Sequence, residues 1–279
     1  MRKFTNILEA IALRPMNLRI NFFRRLILKT NLLPYDKRLE YDLVPRPSYG
    51  YCIYNAAKLA LSLGYSKISV IEFGVAGGNG LVNVEFHVKQ IQKKMDIDIE
   101  VYGFDAGIGL PPPEDYRDVP YIWGEGFYKM DVPALEKSLE FSKLVIGDVR
   151  ETAGSFFDKY KPAPVACVLF DLDYYSSTRA ALGIFEGDPN NYLPRVHCYF
   201  DDLLNEYIGA YGALTDFNKS HDDKKLANIF GLSFGRVPHH WGDNIFVLHD
   251  FVHPRYSDRE NQESDQIHLN VDQAVGYRD

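Results

Sequence analysis

Cysteine is scarce in this chain. Cys52, Cys167 and Cys198 are an odd number without metal-binding spacing, so neither a disulfide framework nor a zinc cluster organises the fold. Cys167 and Cys198 fall inside apolar runs and read as reduced core residues of a cytoplasmic protein. No uninterrupted apolar stretch approaches a membrane span, and the basic residues from Arg14 to Arg25 break any signal-peptide core. Internal repeats and low-complexity tracts are missing, which excludes solenoids and arrays. Overall positive charge is missing too. A net charge of −7 argues against nucleic acid as the main partner.

What is present is enough apolar matter for a full core: 46% of 279 residues, sufficient for one α/β domain with appendages. Nineteen tyrosines suit either a Tyr-rich core or a cradle for a flat or sugar-like ligand. Charge is unevenly spread. Residues 1–38 hold nine Lys and Arg against Glu9 and Asp36, a local +7 that leaves −14 for the rest. Interleaved with Phe4, Ile7, Leu8, Phe22 and Phe23, this arm resembles an interfacial amphipathic helix. It could sit on a membrane surface, or pack on the acidic body or a partner subunit; packing is favoured. Three regions follow: a basic helical arm over 1–45, an alternating strand and helix domain over 46–253, and a polar tail over 254–279.

Within the middle region, the spacing predicts a helix over 49–62 ending at Gly64, and a first strand over 68–72. Leu81, Val84, Val88, Ile91 and Met95 recur as one helix face, followed by a second strand over 99–104. A helix over 132–139 capped by Asp131, a third strand at Lys143–Ile146 and a short helix from Glu151 come next. The runs at 166–170 and 196–200 read as the fourth and fifth strands, with helices at 176–185 and 209–218. Gly235–Pro238 and 244–249 read as a closing hairpin. The fold class expected is α/β, with a mostly parallel seven-stranded sheet, right-handed crossovers and an antiparallel pair at one edge.

Acidic residues mark the strand ends. Asp171-Leu-Asp173 follows the fourth strand and Asp201-Asp202 the fifth. Ligands bind at the carboxyl ends of parallel strands, so four carboxylates converge on one edge, a costly arrangement unless a cation neutralises them. Hard oxygen donors suit Mg²⁺ or a similar divalent ion. Upstream, Glu72-Phe-Gly74-Val-Ala-Gly-Gly78-Asn-Gly80 puts a carboxylate, a glycine turn and a helix start in sequence. A dinucleotide turn would need glycine where Ala76 stands, and Glu72 would repel a pyrophosphate but suits an amine-bearing ligand.

Glu72-x-Gly74-x-x-x-Gly78 resembles motif I of class I S-adenosylmethionine-dependent methyltransferases, with a Rossmann-like fold. Gly103-Phe-Asp105 is similar to that family's ribose-binding strand end, and Ile146-Gly-Asp148-Val149 to the segment flanking adenine. More narrowly, Asp105-Ala-Gly-Ile-Gly-Leu-Pro111, Asp171-Leu-Asp-Tyr-Tyr-Ser-Ser-Thr178 and Asp201-Asp202 resemble the macrocin O-methyltransferase family (the TylF and MycF type), Mg²⁺-dependent enzymes methylating sugar hydroxyls. The likeness spans about residues 66–220. The chain departs from the pattern at Ala106-Gly107 and Leu203.

The resemblance implies S-adenosylmethionine held by Glu72, Gly74, Gly78, Asp105, Asp148 and Val149, and a divalent cation held by Asp171, Asp201 and Asp202. Asp171 is also the candidate proton acceptor. Asp173 is a second catalytic candidate that could also ligate the cation or support its ligands, or else cap a helix. His239-His240-Trp241 could line the acceptor pocket, and Tyr116, Tyr121 and Trp123 could form a lid. Tyr49, Tyr51 and Tyr54 could close over the cofactor from the preceding helix, but core packing is the better reading, as it is for His197. The expected partners are a glycoside-like small molecule and further copies of the chain in a homo-oligomer. Rival readings are a catechol-type acceptor, a glycosyltransferase using Asp-x-Asp for a nucleotide-sugar metal, and a non-enzymatic membrane-associated scaffold.

Overall fold

A computed structural model describes residues 33–233 and 239–259. Two strands with unbroken apolar runs form its centre: β1 (Lys67–Phe73), buried at every position after Lys67, and β4 (Val165–Phe170), buried throughout. Parallel strands covered on both faces have no solvent side to alternate toward. Around them lie β2 (Asp98–Asp105), β3 (Lys143–Ile146) and β5 (Tyr192–Phe200), and the order β3-β2-β1-β4-β5-β7-β6 closes with β6 (Lys224–Asn228) and β7 (Ile245–Asp250). β7 runs antiparallel to both β5 and β6. This is the mostly parallel seven-stranded plan, with an antiparallel pair, that the methyltransferase resemblance implies.

Helices cover both faces. On one side, α2 (Pro47–Ser62) and α3 (Asn79–Gln92) bury Ile53, Ala57, Leu81, Val84 and Val88 against Val70 and Val101. On the other, α5 (Val149–Tyr160), α6 (Tyr175–Leu182) and α7 (Gly209–Ser220) bury Phe156, Leu182 and Leu214 against Ile71 and Val168. Pro47 starts α2 where its missing N–H costs nothing, and Gly64, at φ +80°, takes the left-handed turn that ends it. Between β2 and β3 lies α4 (Val132–Ser138), whose N-cap Asp131 accepts from Ala134 N as expected.

A row of phenylalanines crosses the sheet near the strand ends. Phe104, Phe73, Phe170 and Phe200 stand in contact, with ring centroids 4.7, 5.6 and 4.5 Å apart in turn. They form an apolar floor below the acidic edge.

Three expectations need correction or bounding. The edge strand is β6, Lys224–Asn228, and the run expected at 235–238 lies outside the described residues. An edge strand needs few apolar side chains: only Leu226 is buried in β6, its backbone held at both polar groups by the Asn218 amide (2.8 Å each). The helix after β3 is longer than expected and begins two residues earlier, at Val149. The arm over 1–32 and the tail over 260–279 lie outside the described residues. The end of the arm does pack on the body: α1 (Tyr35–Glu40) buries Tyr35 and Leu39, and the Tyr35 hydroxyl meets His87 Nδ1 at 2.9 Å. No helix among the described residues is long and apolar enough to cross a membrane.

Candidate functional site

Strand order reverses between β1 and β4, and the loops there diverge into a cleft. It has a volume of about 470 Å³ and runs from the glycine turn to the acidic ends of β4 and β5. Of the sequence-predicted site residues, Gly74, Asp105, Asp148, Val149, Asp171, Asp173, Asp201 and Asp202 line this one cleft. Glu72 lies beneath it.

The glycine turn is shaped by close approach. Gly74 sits at φ +86°, and a Cβ there would fall 1.9 Å from the Asp171 carbonyl oxygen. Gly78, at φ +82°, is the N-cap of α3. A Cβ on Gly80 would fall 1.8 Å from Glu72 Oε1, so the helix start leaves room for that carboxyl. Ala76 occupies the left-handed region at φ 44°, held by its N–H donating to Asp105 Oδ2 at 2.8 Å. Asp105 Oδ1 accepts from Gly107 N at 2.6 Å. Asp105 therefore clamps two loops together, a structural duty beside the ribose contact the resemblance implies.

Glu72 is 1% exposed, and its Oε2 has no hydrogen-bond partner. Burial first, then the charge of Asp171, pushes its pKa up to about 8. The Tyr49 hydroxyl lies 2.9 Å from both Glu72 Oε1 and Asp171 Oδ2. A phenol has one proton to donate, so a protonated Glu72 donating to the phenol satisfies the second contact at neutral pH.

Asp148 caps α5 through Arg150 N at 2.9 Å, and Arg150 pairs with its carboxylate, holding the pKa low. Val149 follows on the cleft wall.

At the acidic edge each carboxylate has its own environment. Asp171 Oδ2 accepts from Arg46 Nη1 at 3.0 Å; burial and Asp201 raise its pKa, while Arg46 and Tyr49 oppose them. Asp201 Oδ1 accepts from the Tyr199 hydroxyl. Asp173 and Asp202 are a half-buried neighbouring pair: burial and then Asp202 raise the Asp173 pKa, while burial and Asp201 raise that of Asp202 and the contact with Asp173 opposes them. The expected cation set of Asp171, Asp201 and Asp202 is thus not assembled as one group. Among the described residues, no three His, Cys, Asp or Glu side chains are arranged to hold a metal ion. The physical reason is local: Arg46 and Tyr49 claim Asp171, Tyr199 claims Asp201, and Asp173 claims Asp202.

Asp173 is no helix cap. The start of α6 is held instead by Asp118, which accepts from Ser176 N at 2.8 Å and the Ser176 hydroxyl at 2.9 Å. His239 and Trp241 do not line the cleft; both donors reach Asp42 Oδ1, at 3.0 and 3.2 Å, and brace the turn before α2. Tyr116 and Tyr121 are exposed away from the cleft wall, and Trp123 packs with Val119 and Tyr174. Tyr128 and Ile108 occupy the wall instead.

Arg46 and Asp118 escaped the sequence reading, and the carboxyl contacts of Tyr49 did too. Tyr49 is fully buried, as core packing predicts, yet it bridges two site carboxyls. Pro on both sides of Arg46 was a signal of constrained backbone; the residue sits at φ 38°.

No protein-family model matches the chain, and no curated protein does. Among solved structures, the chain is similar to the calicheamicin methyltransferase CalS11. The identity is 20% over 85% of this chain and 93% of that one, with a TM-score of 0.49. It is similar to the O-methyltransferase NovP at 12% identity, covering 72% of this chain and 78% of that one, with a TM-score of 0.49. An O-methyltransferase from Bacillus cereus in complex with SAH matches at 12% identity over 81% and 95% of the two chains, with a TM-score of 0.38. At these identities and scores the likenesses carry no argument about activity or substrate, which rest on the site's own geometry.

Proposed function

We propose that this chain is an S-adenosylmethionine-dependent O-methyltransferase acting on a hydroxyl of a sugar or glycoside-like small molecule, assisted by a divalent cation. One observation carries the reading: a single cleft joins the glycine turn and the ends of β2 and β3 to the acidic ends of β4 and β5. A donor and an acceptor bound at its two ends would meet over Asp171.

Glu72, Gly74, Gly78, Asp105, Asp148 and Val149 hold the cofactor in this reading. The buried, unpartnered Glu72 Oε2 is an acceptor in want of a donor. In methyl transfer the sulfur–methyl bond breaks as an oxygen–methyl bond forms, in line, and the hydroxyl proton must leave. Asp171 is the residue proposed to receive it, with Asp173 as the neighbouring carboxyl. Arg46 and Tyr49 fix the direction of Asp171 from the α2 side.

The donor set fits a hard divalent cation in kind, being all carboxylate oxygen, and burial together with the neighbouring Asp201 raises the pKa of both Asp171 and Asp202. Asp171, Asp201 and Asp202 are the residues that would hold it, in place of their present partners. When bound, the cation would lower the pKa of a coordinated hydroxyl.

Labelled S-adenosylmethionine supplied with a panel of glycosides and catechols, with and without EDTA, tests the proposal. Methyl transfer to a glycoside that EDTA abolishes is the expected result. Transfer indifferent to EDTA would remove the cation, and transfer to catechols alone would remove the sugar.

A further inference from the structure

Tyr128 lies in the loop between β2 and α4, at φ +60°. A bulky side chain rarely adopts this conformation, and such strain persists where the surroundings impose it. Here the two arms of the loop close behind it. Leu110 N donates to Phe127 O and Gly126 N to Leu110 O, each at 2.8 Å, and Met130 N donates to Gly107 O at 3.3 Å. A Cβ on Gly109 would fall 2.5 Å from Phe127 O, so this closure depends on a glycine. The base of the loop is pinned, and it holds Tyr128 on the wall of the same cleft as Asp171, Asp173 and Asp202. Partial burial raises the phenol's pKa, and the charge of Asp173 raises it further. Yet Tyr128 is 53% exposed. An aromatic face imposed by the backbone, left open, and set opposite carboxylates is suited to a ring-shaped guest.

Charge narrows the guest. Seven acidic side chains line the cleft against two guanidiniums, those of Arg46 and Arg150. Both are committed, Arg46 to Asp171 and Arg150 to Asp148 and Glu114. Among the described residues no other Lys, Arg or His lines the cleft. A phosphate would find no guanidinium free of a carboxylate, and even with a divalent cation bound the seven acidic side chains outnumber the four positive charges, so burying a phosphate there is costly.

We propose that Tyr128 is a specificity-determining residue whose ring packs on the acceptor, and that the acceptor is an uncharged or amine-bearing polyhydroxylated ring, not a phosphate-bearing sugar. The inference deepens the methyltransferase reading and rests on it.

The test uses the full chain saturated with S-adenosylhomocysteine and three probes sharing one ring: methyl β-glucoside, methyl β-glucosaminide and glucose 1-phosphate. Affinities are read by saturation-transfer NMR in the wild type, in Tyr128→Phe, which keeps the ring, and in Tyr128→Asn, which removes it but tolerates positive φ. The neutral and amine probes should bind at least roughly tenfold more tightly than the phosphate. Tyr128→Asn should weaken those two probes by roughly tenfold, Tyr128→Phe should not, and S-adenosylhomocysteine affinity should hold in both. Equal or tighter binding of the phosphate overturns the proposal. So does Tyr128→Asn without effect on the probes, or no sugar probe binding at all while S-adenosylhomocysteine binds. Failure of S-adenosylhomocysteine itself to bind the wild type would overturn the methyltransferase reading, and this inference with it.

Discussion

The end of β1 and the ends of β4 and β5 use the same chemistry in opposite surroundings. At β1 a single carboxyl, Glu72, is sealed under the cleft beside a glycine helix start and pushed up to about 8. At β4 and β5 four carboxyls crowd a half-open edge and divide themselves among Arg46, Tyr49, Tyr199 and one another. Desolvation governs the first; desolvation and mutual repulsion together govern the second. In the proposed reading the dry end holds a ligand in one pose and the crowded end moves a proton. Tyr49 hydrogen-bonds to both.

The contrast can be broken most severely at the crowded end. Asp171→Asn should cut methyl transfer by roughly 10²–10⁴-fold while S-adenosylhomocysteine affinity stays within a small factor. Titration calorimetry beside a turnover assay reads both; a parallel loss of cofactor affinity would merge the two halves into one. At the boundary between them, Gly74→Ala brings a Cβ onto the Asp171 carbonyl at a positive φ. A stability loss of about 3 kcal/mol, seen as a lower denaturant midpoint, is the outcome expected.

The dry end has a pH signature. The Glu72 pKa is raised from 4.5 to about 8 by folding. Its protonated form therefore adds stability fully present below the unfolded value and lost as pH rises through about 8. Between those limits the folded state binds the extra proton, so stability falls with rising pH. Glu72→Gln should flatten that fall by roughly 2–4 kcal/mol between pH 5 and pH 9. Denaturation of both proteins across that range measures it, and identical slopes would mean Glu72 is ionised in the fold.

Smallest is the effect outside both ends. Trp241→Phe removes the N–H donated to Asp42 and should cost about 1 kcal/mol of stability with the acceptor KM unchanged. A raised KM would return that region to the acceptor pocket.

Legibility in the sequence follows the same division. Strands announce themselves as apolar runs, so β1 to β5 and β7 were readable, β3 among them through Leu144-Val-Ile146 although only Val145 is buried; β6, Lys-Lys-Leu-Ala-Asn, carries no such run and was not. Carboxylates at strand ends are visible once the strands are, and eight of the predicted residues line the cleft. Their partners come from distant segments. Arg46 reaches Asp171 across 125 positions, and Asp118 meets Ser176 across 58. No periodicity encodes such contacts. His239 and Trp241 misled because residue type suggests chemistry while position decides it: their donors were spent on Asp42.

The most direct test of the two-ended account is calorimetric titration of the full chain with S-adenosylhomocysteine, in the wild type and in Gly80→Ala. The account predicts one site per chain in the wild type, and binding weakened severely where the new Cβ displaces Glu72. No binding to the wild type, or equal binding to both proteins, would contradict it.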